Sequence, residues 1–144
     1  MTIRPRAVRA LKDIRTRLRD VAAATAAVAN DARDNSHLAL VRENEKLDDY
    51  LDGAADELSA ARTVHELHQV AETTGVYRLD IVDAAARHAE MEQAALAAAE
   101  HLRQQARQLR RAEKLQERVT EHLTKVEARG EQRLNDDISA TRRR

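Results

Sequence analysis

The residues best suited to chemistry are two histidines in the segment HELH, His65 to His68. A zinc protease helix carries its two histidines four residues apart with a glutamate between them, because that spacing puts both imidazoles on one face. Here Gln69 occupies the position where the second histidine would be needed, and His88 is the nearest further histidine. The chain has no cysteine, so thiolate ligands and disulfides are excluded. The sequence therefore predicts no metal site and no cofactor.

The sequence also lacks the residue patterns of an enzyme or of a nucleic-acid-binding protein. The chain has only three glycines, which are widely separated, so no glycine-rich loop could cradle a phosphate. No set of serine, histidine and acid resembles a hydrolase site. The chain ends in the basic segment TRRR, but its net charge is +0 and it lacks Trp and Phe, which stack on bases. We therefore expect neither catalysis nor a nucleic-acid partner.

Composition indicates long helices rather than a thick globular core. The 144 residues allow one domain, 35% of them are charged, and alanine alone accounts for 28. Abundant Ala, Arg, Glu and Leu with three glycines and one proline is typical of coiled coils. No apolar run approaches the roughly 20 residues that span a bilayer, and the basic start lacks the apolar segment of a secretory signal. These features predict a cytoplasmic protein.

Apolar residues recur at alternating steps of three and four, the spacing of a coiled-coil seam. The first part of the chain has two such runs, separated by a slip near Asn35 and Ser36. They are Leu11, Ile14, Leu18, Val21, Thr25, Val28 and Ala32, and then Leu40, Asn44, Leu47, Leu51, Ala54, Leu58 and Ala61. The second part holds the spacing without a break. Its members are Ile81, Ala84, His88, Met91, Ala95, Ala98, Leu102, Gln105, Leu109, Ala112, Gln116, Val119, Leu123 and Val126.

The segment VAETTGVYR, which contains Gly75, lies near the midpoint of the chain and predicts the turn between the two runs. A hairpin centred there pairs residues whose numbers add to about 148, such as Ile14 with Leu134 and Leu58 with Met91. The predicted fold is all-α, one long antiparallel two-helix coiled-coil hairpin over 1–144. Its arm one is 5–73, its turn is 73–76 and its arm two is 77–140. A break at Asn35 to Ser36, giving three helices, is the alternative.

Charge is unevenly distributed despite the net balance. The segment 1–20 has seven basic residues against two acidic ones, whereas 43–57 has seven acidic residues against Lys46 alone. Solvated helix faces would account for both segments. Alternatively, arginines at the basic end are left free to bind acidic groups of a partner.

The closing segment LQERVTEHLTKVEARGEQRLNDD, 115–137, resembles the C-terminal arm of the FliJ family of flagellar export proteins. The family pattern is an arginine, a glutamine three residues later and two acids seven and eight residues later. Here these are Arg129, Gln132, Asp136 and Asp137. The opening AVRALKDIRTRLRD, 7–20, is similar to the family's N-terminal arm. A low aromatic content leaves the related YscO and HrpB7-type stalks of virulence type III secretion open.

This resemblance implies a non-enzymatic central stalk of a type III protein export apparatus. Such a stalk binds the hexameric export ATPase, promotes its assembly or activity, and contacts the export gate protein. Export chaperones are a further partner, and membrane association is peripheral, through partners at the inner face of the cytoplasmic membrane. The alternative is a self-associating structural coiled coil unrelated to secretion. The residues expected at the ATPase end are Arg15, Arg19, Arg129, Gln132, Arg133, Asp136 and Asp137. Those expected at the gate or a chaperone are Glu43, Asp49 and Tyr50.

Overall fold

The computed structural model describes residues 4–60 and 63–141, with side chains described as far as residue 139, and these residues form two long helices. Helix α1 runs over Pro5–Ala60 and helix α2 over Val64–Thr141. No strand occurs within these ranges. The helices pack against each other, so the predicted all-α, two-helix antiparallel class is confirmed. Helix α1 passes through Asn35 and Ser36 without interruption, which removes the three-helix alternative.

Helix α2 begins with a capping box at Thr63 and Glu66. The Thr63 backbone N–H donates to Glu66 Oε2 at 3.2 Å, and the Glu66 backbone N–H donates to Thr63 Oγ1 at 3.3 Å. These reciprocal bonds satisfy donors that the first helical turn leaves without intrahelical partners. The chain therefore changes direction between Ala60 and Val64.

The predicted turn at 73–76 is wrong, because Gly75 lies inside α2 and no glycine has a positive φ. The hydroxyl of Thr73 donates to the Gln69 carbonyl at 3.0 Å, and that of Thr74 donates to the Val70 carbonyl at 2.8 Å. These bonds to the preceding turn let both threonines remain in a helix. Arm one therefore ends at Ala60 instead of 73, and arm two begins at Val64 instead of 77.

The chain divides into two compact units, each containing parts of both helices. Unit 2, Ala23–Glu100, contains the helix ends that meet at the turn. There Ser36 Oγ lies 3.0 Å from His88 Nδ1, and the numbers of these residues add to 124. The rings of Tyr50 and Tyr77 lie 5.2 Å apart. Because α1 ends at Ala60 and α2 begins at Val64, the pairing sum is about 124 instead of the predicted 148.

Unit 1, Met1–Ala22 with His101–Arg144, contains the start of α1 and the second half of α2. Its buried apolar residues include Val8 on α1 and Leu109 and Ala112 on α2. Lys12 shares a groove with Glu113 and Gln116, which give pairing sums of 125 and 128, again well below the predicted 148. The predicted pairing of Ile14 with Leu134 is wrong for the same reason as in unit 2.

Helix α1 packs on α2 through one continuous heptad stripe, which is shifted by one residue from the predicted first run. Its members are partly or fully buried and follow steps of four and three along the whole helix. They are Val8, Lys12, Arg15, Arg19, Ala22, Ala26, Ala29, Arg33, Ser36, Leu40, Glu43, Leu47, Tyr50 and Ala54. The predicted first run, Leu11 to Val28, is exposed instead, and Ala61 lies outside the described residues. On α2, every predicted seam residue from Ile81 to Val119 is at least partly buried.

Helix α2 extends beyond the start of α1, because α2 has 78 residues and α1 has 56. In the observed register Pro5 lies opposite Val119. All residues from 121 to 139 are exposed. The predicted seam residues Leu123 and Val126 therefore do not face α1, and the segment 121–141 forms a single-helix extension of α2.

Candidate partner-binding surfaces

Tyr50 and Tyr77, the two aromatic residues of the chain, meet between the helices of unit 2. Their rings are tilted by 38° with centroids 5.2 Å apart, within the favourable range for aromatic pairs. Tyr50 is partly buried, so part of its ring remains accessible from outside. Tyr50, which is one of the predicted gate residues, is thus held in place by Tyr77 on α2.

Glu43, a second predicted gate residue, is held by an ion pair on α1. Lys46 Nζ donates to Glu43 Oε1 at 2.7 Å. This hydrogen bond and the attraction of Glu43 raise the pKa of Lys46, and the charge of Asp80 on α2 adds to the effect. Asp49, the third predicted residue, is exposed. The structure therefore places Glu43, Asp49 and Tyr50 near one another on α1, with Asp49 the most accessible.

The histidines of unit 2 lie in two separate places. His37 and His88 have ring centroids 5.3 Å apart between the helices. In the HELH segment, His68 Nε2 lies 3.2 Å from Glu72 Oε1 on the surface of α2. Among residues 4–60 and 63–141 no three His, Cys, Asp or Glu side chains are grouped so that they could hold a metal ion.

The end of unit 2 that contains the turn is strongly acidic. Its described segments, 43–60 and 63–83, contain eleven acidic residues and two basic ones, Lys46 and Arg78. The sequence predicted an acidic segment only over 43–57. Because α1 ends at Ala60 and α2 begins at Val64, the acidic residues of early α2 lie at the same end of the unit; they are Glu66, Glu72, Asp80 and Asp83.

The two-helix part of unit 1 is strongly basic. Its segments 4–20 and 104–120 contain twelve basic residues and four acidic ones. Arg15 and Arg19 belong to the partly buried stripe that faces α2. Arg19 pairs with Asp20, with 2.7 Å between Nη2 and Oδ1, while its Nε is buried and has no hydrogen-bond partner among the residues that the structure describes. Gln105 Oε1 is buried in the same way, opposite Arg19 in the observed register.

The other predicted ATPase-end residues, Arg129, Gln132, Arg133, Asp136 and Asp137, lie on the exposed α2 extension. Arg15 lies opposite Leu109 in the observed register, twenty residues before Arg129. At 1.5 Å per residue this separation is about 30 Å. Arg15 and Arg19 are therefore far from Arg129 and Arg133. The residues predicted for the ATPase end divide into two sets, one in the seam with α2 and one on the α2 extension.

Sequence reasoning missed the turn and the exposed face of α1. The segment TVHE, 63–66, has the capping-box pattern of a threonine followed three residues later by a glutamate, and it marks the start of α2. The exposed face of α1 was missed because the stripe that packs on α2 is shifted by one residue from the predicted stripe. Neither α1 nor α2 contains, within the described residues, an apolar stretch able to cross a membrane.

A comparison with protein families gives a match that covers nearly the whole chain. The family model described as flagellar FliJ protein matches residues 6–144. No curated protein sequence matches, and no solved structure does.

Proposed function

Because this chain belongs to the FliJ family of flagellar export proteins, we propose that it acts as a non-enzymatic central stalk of the export apparatus. In this role it binds the hexameric export ATPase and promotes its assembly or activity. It also contacts the export gate protein, with export chaperones as a further class of partner. We place it in the cytoplasm, at the membrane only through its partners.

The observation that carries this proposal is the single-helix extension of α2. From residue 121 to 139 every side chain is exposed. The extension nevertheless keeps an apolar stripe of Leu123, Val126, Leu134 and Ile138, each between 39% and 64% exposed. A lone helix is about 10–12 Å across, so it needs less space on the axis of a ring than a helix pair does. Its exposed apolar stripe is suited to bind side chains that line such a ring.

Polar residues of the extension supply the specificity in this proposal. Arg129 and Arg133 are exposed cations, which can form forked hydrogen bonds with carboxylates on the ATPase. Gln132, Asp136 and Asp137 complete the family pattern along the same segment. Arg15 and Arg19 have less access because they are partly buried against α2. Their predicted part in ATPase binding is therefore a secondary contact in this proposal.

The proposed gate or chaperone contact lies in unit 2 around Asp49 and Tyr50. Asp49 offers an exposed carboxylate and Tyr50 a partly exposed ring that Tyr77 holds in place. Aromatic residues with one accessible face are common anchors in protein interfaces. Helix α1 places Glu43 two turns before Tyr50.

A reconstitution assay tests the stalk proposal. The purified chain is added to the export ATPase of the same cell, and ATP hydrolysis and hexamer formation are measured at low salt. We expect stimulation by the parent chain. The double variant Arg129→Gln and Arg133→Gln should lose at least tenfold in apparent affinity for the ATPase, because it lacks the charge-assisted contacts.

The matched control is Arg78→Gln with Arg87→Gln, which removes two exposed cations of α2 within unit 2. This control should stimulate the ATPase like the parent. Absence of stimulation by the parent would refute the stalk role. Self-association of the parent without any effect on the ATPase would instead favour the structural coiled coil.

A further inference from the structure

The start of α1 in unit 1 has two heptad stripes that differ by one residue. One stripe, which includes Val8, Arg15 and Ala22, faces α2. The other is exposed and consists of Leu11, Ile14, Leu18 and Val21, at 36%, 55%, 42% and 65% of their surface. Helix α1 thus turns its larger apolar side chains away from the helix on which it already packs.

The exposed stripe has the geometry of a helix-binding seam. Its steps of three, four and three are those that place knobs into the holes of a neighbouring helix. Burying exposed apolar side chains is favourable in proportion to the area removed from water. The stripe of α1 that contacts α2 lies one residue away, which is about 100° around the helix, so a third helix could bind the exposed stripe without displacing α2.

Basic side chains border the exposed stripe on both sides. At 3.6 residues per turn, Arg6 and Arg17 lie along one edge of the stripe, and Arg15 along the other. The two-helix part of unit 1 has twelve basic residues against four acidic ones. Charge complementarity therefore selects an acidic partner. It disfavours a second copy of this stripe, which would bring the same cations together.

A helix fits this stripe better than a lipid bilayer does. Helices that lie in the membrane interface commonly insert Trp or Phe from a broad apolar face, and this chain has neither residue. The stripe is narrow and follows the coiled-coil repeat. From these observations we propose that Leu11, Ile14, Leu18 and Val21 bind an amphipathic α-helix of a partner protein whose seam is apolar and whose flanks are acidic.

This surface lies on α1 and is separate from the α2 extension on which the stalk proposal rests, so it can be tested without the ATPase. Two fluorescent 28-residue peptides serve as probes, both with Leu and Ile at the seam positions. The flanks are Glu in one peptide and Lys in the other. Fluorescence anisotropy is measured with the full chain, and vesicles of phosphatidylcholine with phosphatidylglycerol are tested by flotation.

We expect the full chain to bind the Glu peptide at least tenfold more tightly than the Lys peptide. The triple variant Leu11→Gln, Ile14→Gln and Leu18→Gln should lose at least tenfold in affinity for the Glu peptide. Its circular dichroism should remain that of the parent, because these side chains are exposed. The control Val64→Gln with Leu96→Gln changes two side chains that are 83% and 67% exposed elsewhere, and it should bind like the parent.

Charge reversal provides an independent readout. Arg6→Glu with Arg17→Glu should shift the preference from the Glu peptide towards the Lys peptide. Equal binding of the two peptides by the parent would overturn the proposal, as would unchanged Glu-peptide binding by the triple variant. Vesicle binding that depends on Leu11, Ile14 and Leu18, without binding of the Glu peptide, would also overturn it and identify a lipid surface.

Discussion

Unit 2 turns large side chains of α1 such as Leu47 and Tyr50 towards α2, whereas unit 1 turns Arg15 and Arg19 towards α2 and leaves Ile14 exposed. Both sets belong to the same uninterrupted heptad stripe of one helix. In unit 2 the stripe that faces α2 therefore includes large residues of α1, whereas in unit 1 the larger apolar residues of α1 lie on the exposed stripe.

Because of this difference, the most hydrophobic residues of α1 in unit 1 are not the buried ones. In unit 1 the α1 side of the seam consists of Val8, Ala22 and basic residues, so α1 itself buries little apolar area per residue there. In unit 2 the same stripe contains Leu40, Leu47 and an aromatic pair with α2. We expect unit 2 to contribute more to the free energy of unfolding, and exposed apolar residues of unit 1 to contribute little.

The largest expected effect is the loss of a buried leucine in unit 1. Leu109→Ala should lower the free energy of unfolding by about 2 kcal/mol or more, because Leu109 is only 8% exposed. Leu18→Ala in the same unit should cost less than about 1 kcal/mol, since Leu18 is 42% exposed. Chemical denaturation of both variants measures this contrast. Equal losses would mean that Leu18 belongs to the seam.

The aromatic pair of unit 2 is expected to give the next largest effect. A double-mutant cycle with Tyr50→Ala and Tyr77→Ala should give a coupling energy of about 0.5–1.5 kcal/mol, because each ring contacts the other across the helices. Urea denaturation of the parent, both single variants and the double variant supplies the four values. A coupling energy near zero would show that the rings do not meet.

The cap of α2 tests where the turn lies. Thr63→Ala removes the hydroxyl that accepts from the Glu66 backbone N–H, so it should destabilise the protein by about 1 kcal/mol. Thr74→Ala is the matched control, because its hydroxyl only donates to a carbonyl within α2. Thermal unfolding followed by circular dichroism compares the two. A cap at Thr74 would reverse their order.

Gly75 gives the smallest expected effect, but its sign is informative. Gly75 is helical, and an added methyl group would meet no atom within 4 Å apart from its chain neighbours and the backbone of its own helical turns. Gly75→Ala should therefore stabilise the protein by about 0.5–1 kcal/mol, the usual gain of alanine over glycine inside a helix. The midpoint of urea unfolding provides the measurement. Destabilisation would place Gly75 in a left-handed turn after all.

The sequence predicted α2 more successfully than α1 for a physical reason. From Ile81 to Val119 the repeat of α2 is unbroken and contains Leu102 and Leu109, so pattern and packing agree. In the first half of α1 the exposed Leu and Ile stripe is more hydrophobic than the buried stripe one residue away. Periodicity alone selects the more hydrophobic stripe. The slip near Asn35 was the sign that the two runs of α1 could not share one face.

The start of α2 was predictable from local chemistry, although the predicted turn was placed at Gly75. Glycine often ends a helix, yet it is also tolerated inside one at a modest cost. The capping pattern at Thr63 and Glu66 was the stronger signal, because it satisfies the first backbone donors of α2. The candidate residues on the extension followed from the family pattern. Their distance from Arg15 could be known only after the register was known.

The pairing register is tested most directly by disulfide formation in a chain that has no natural cysteine. In unit 2, Ser36 and His88 are in side-chain contact, whereas Leu58 and Met91 would meet only if the turn were at Gly75. Under mild oxidation, Ser36→Cys with His88→Cys should form an intramolecular disulfide, visible as faster migration on a non-reducing gel. Leu58→Cys with Met91→Cys should not. Closure of the Leu58 and Met91 pair, with the Ser36 and His88 pair remaining open, would contradict the register described for both units.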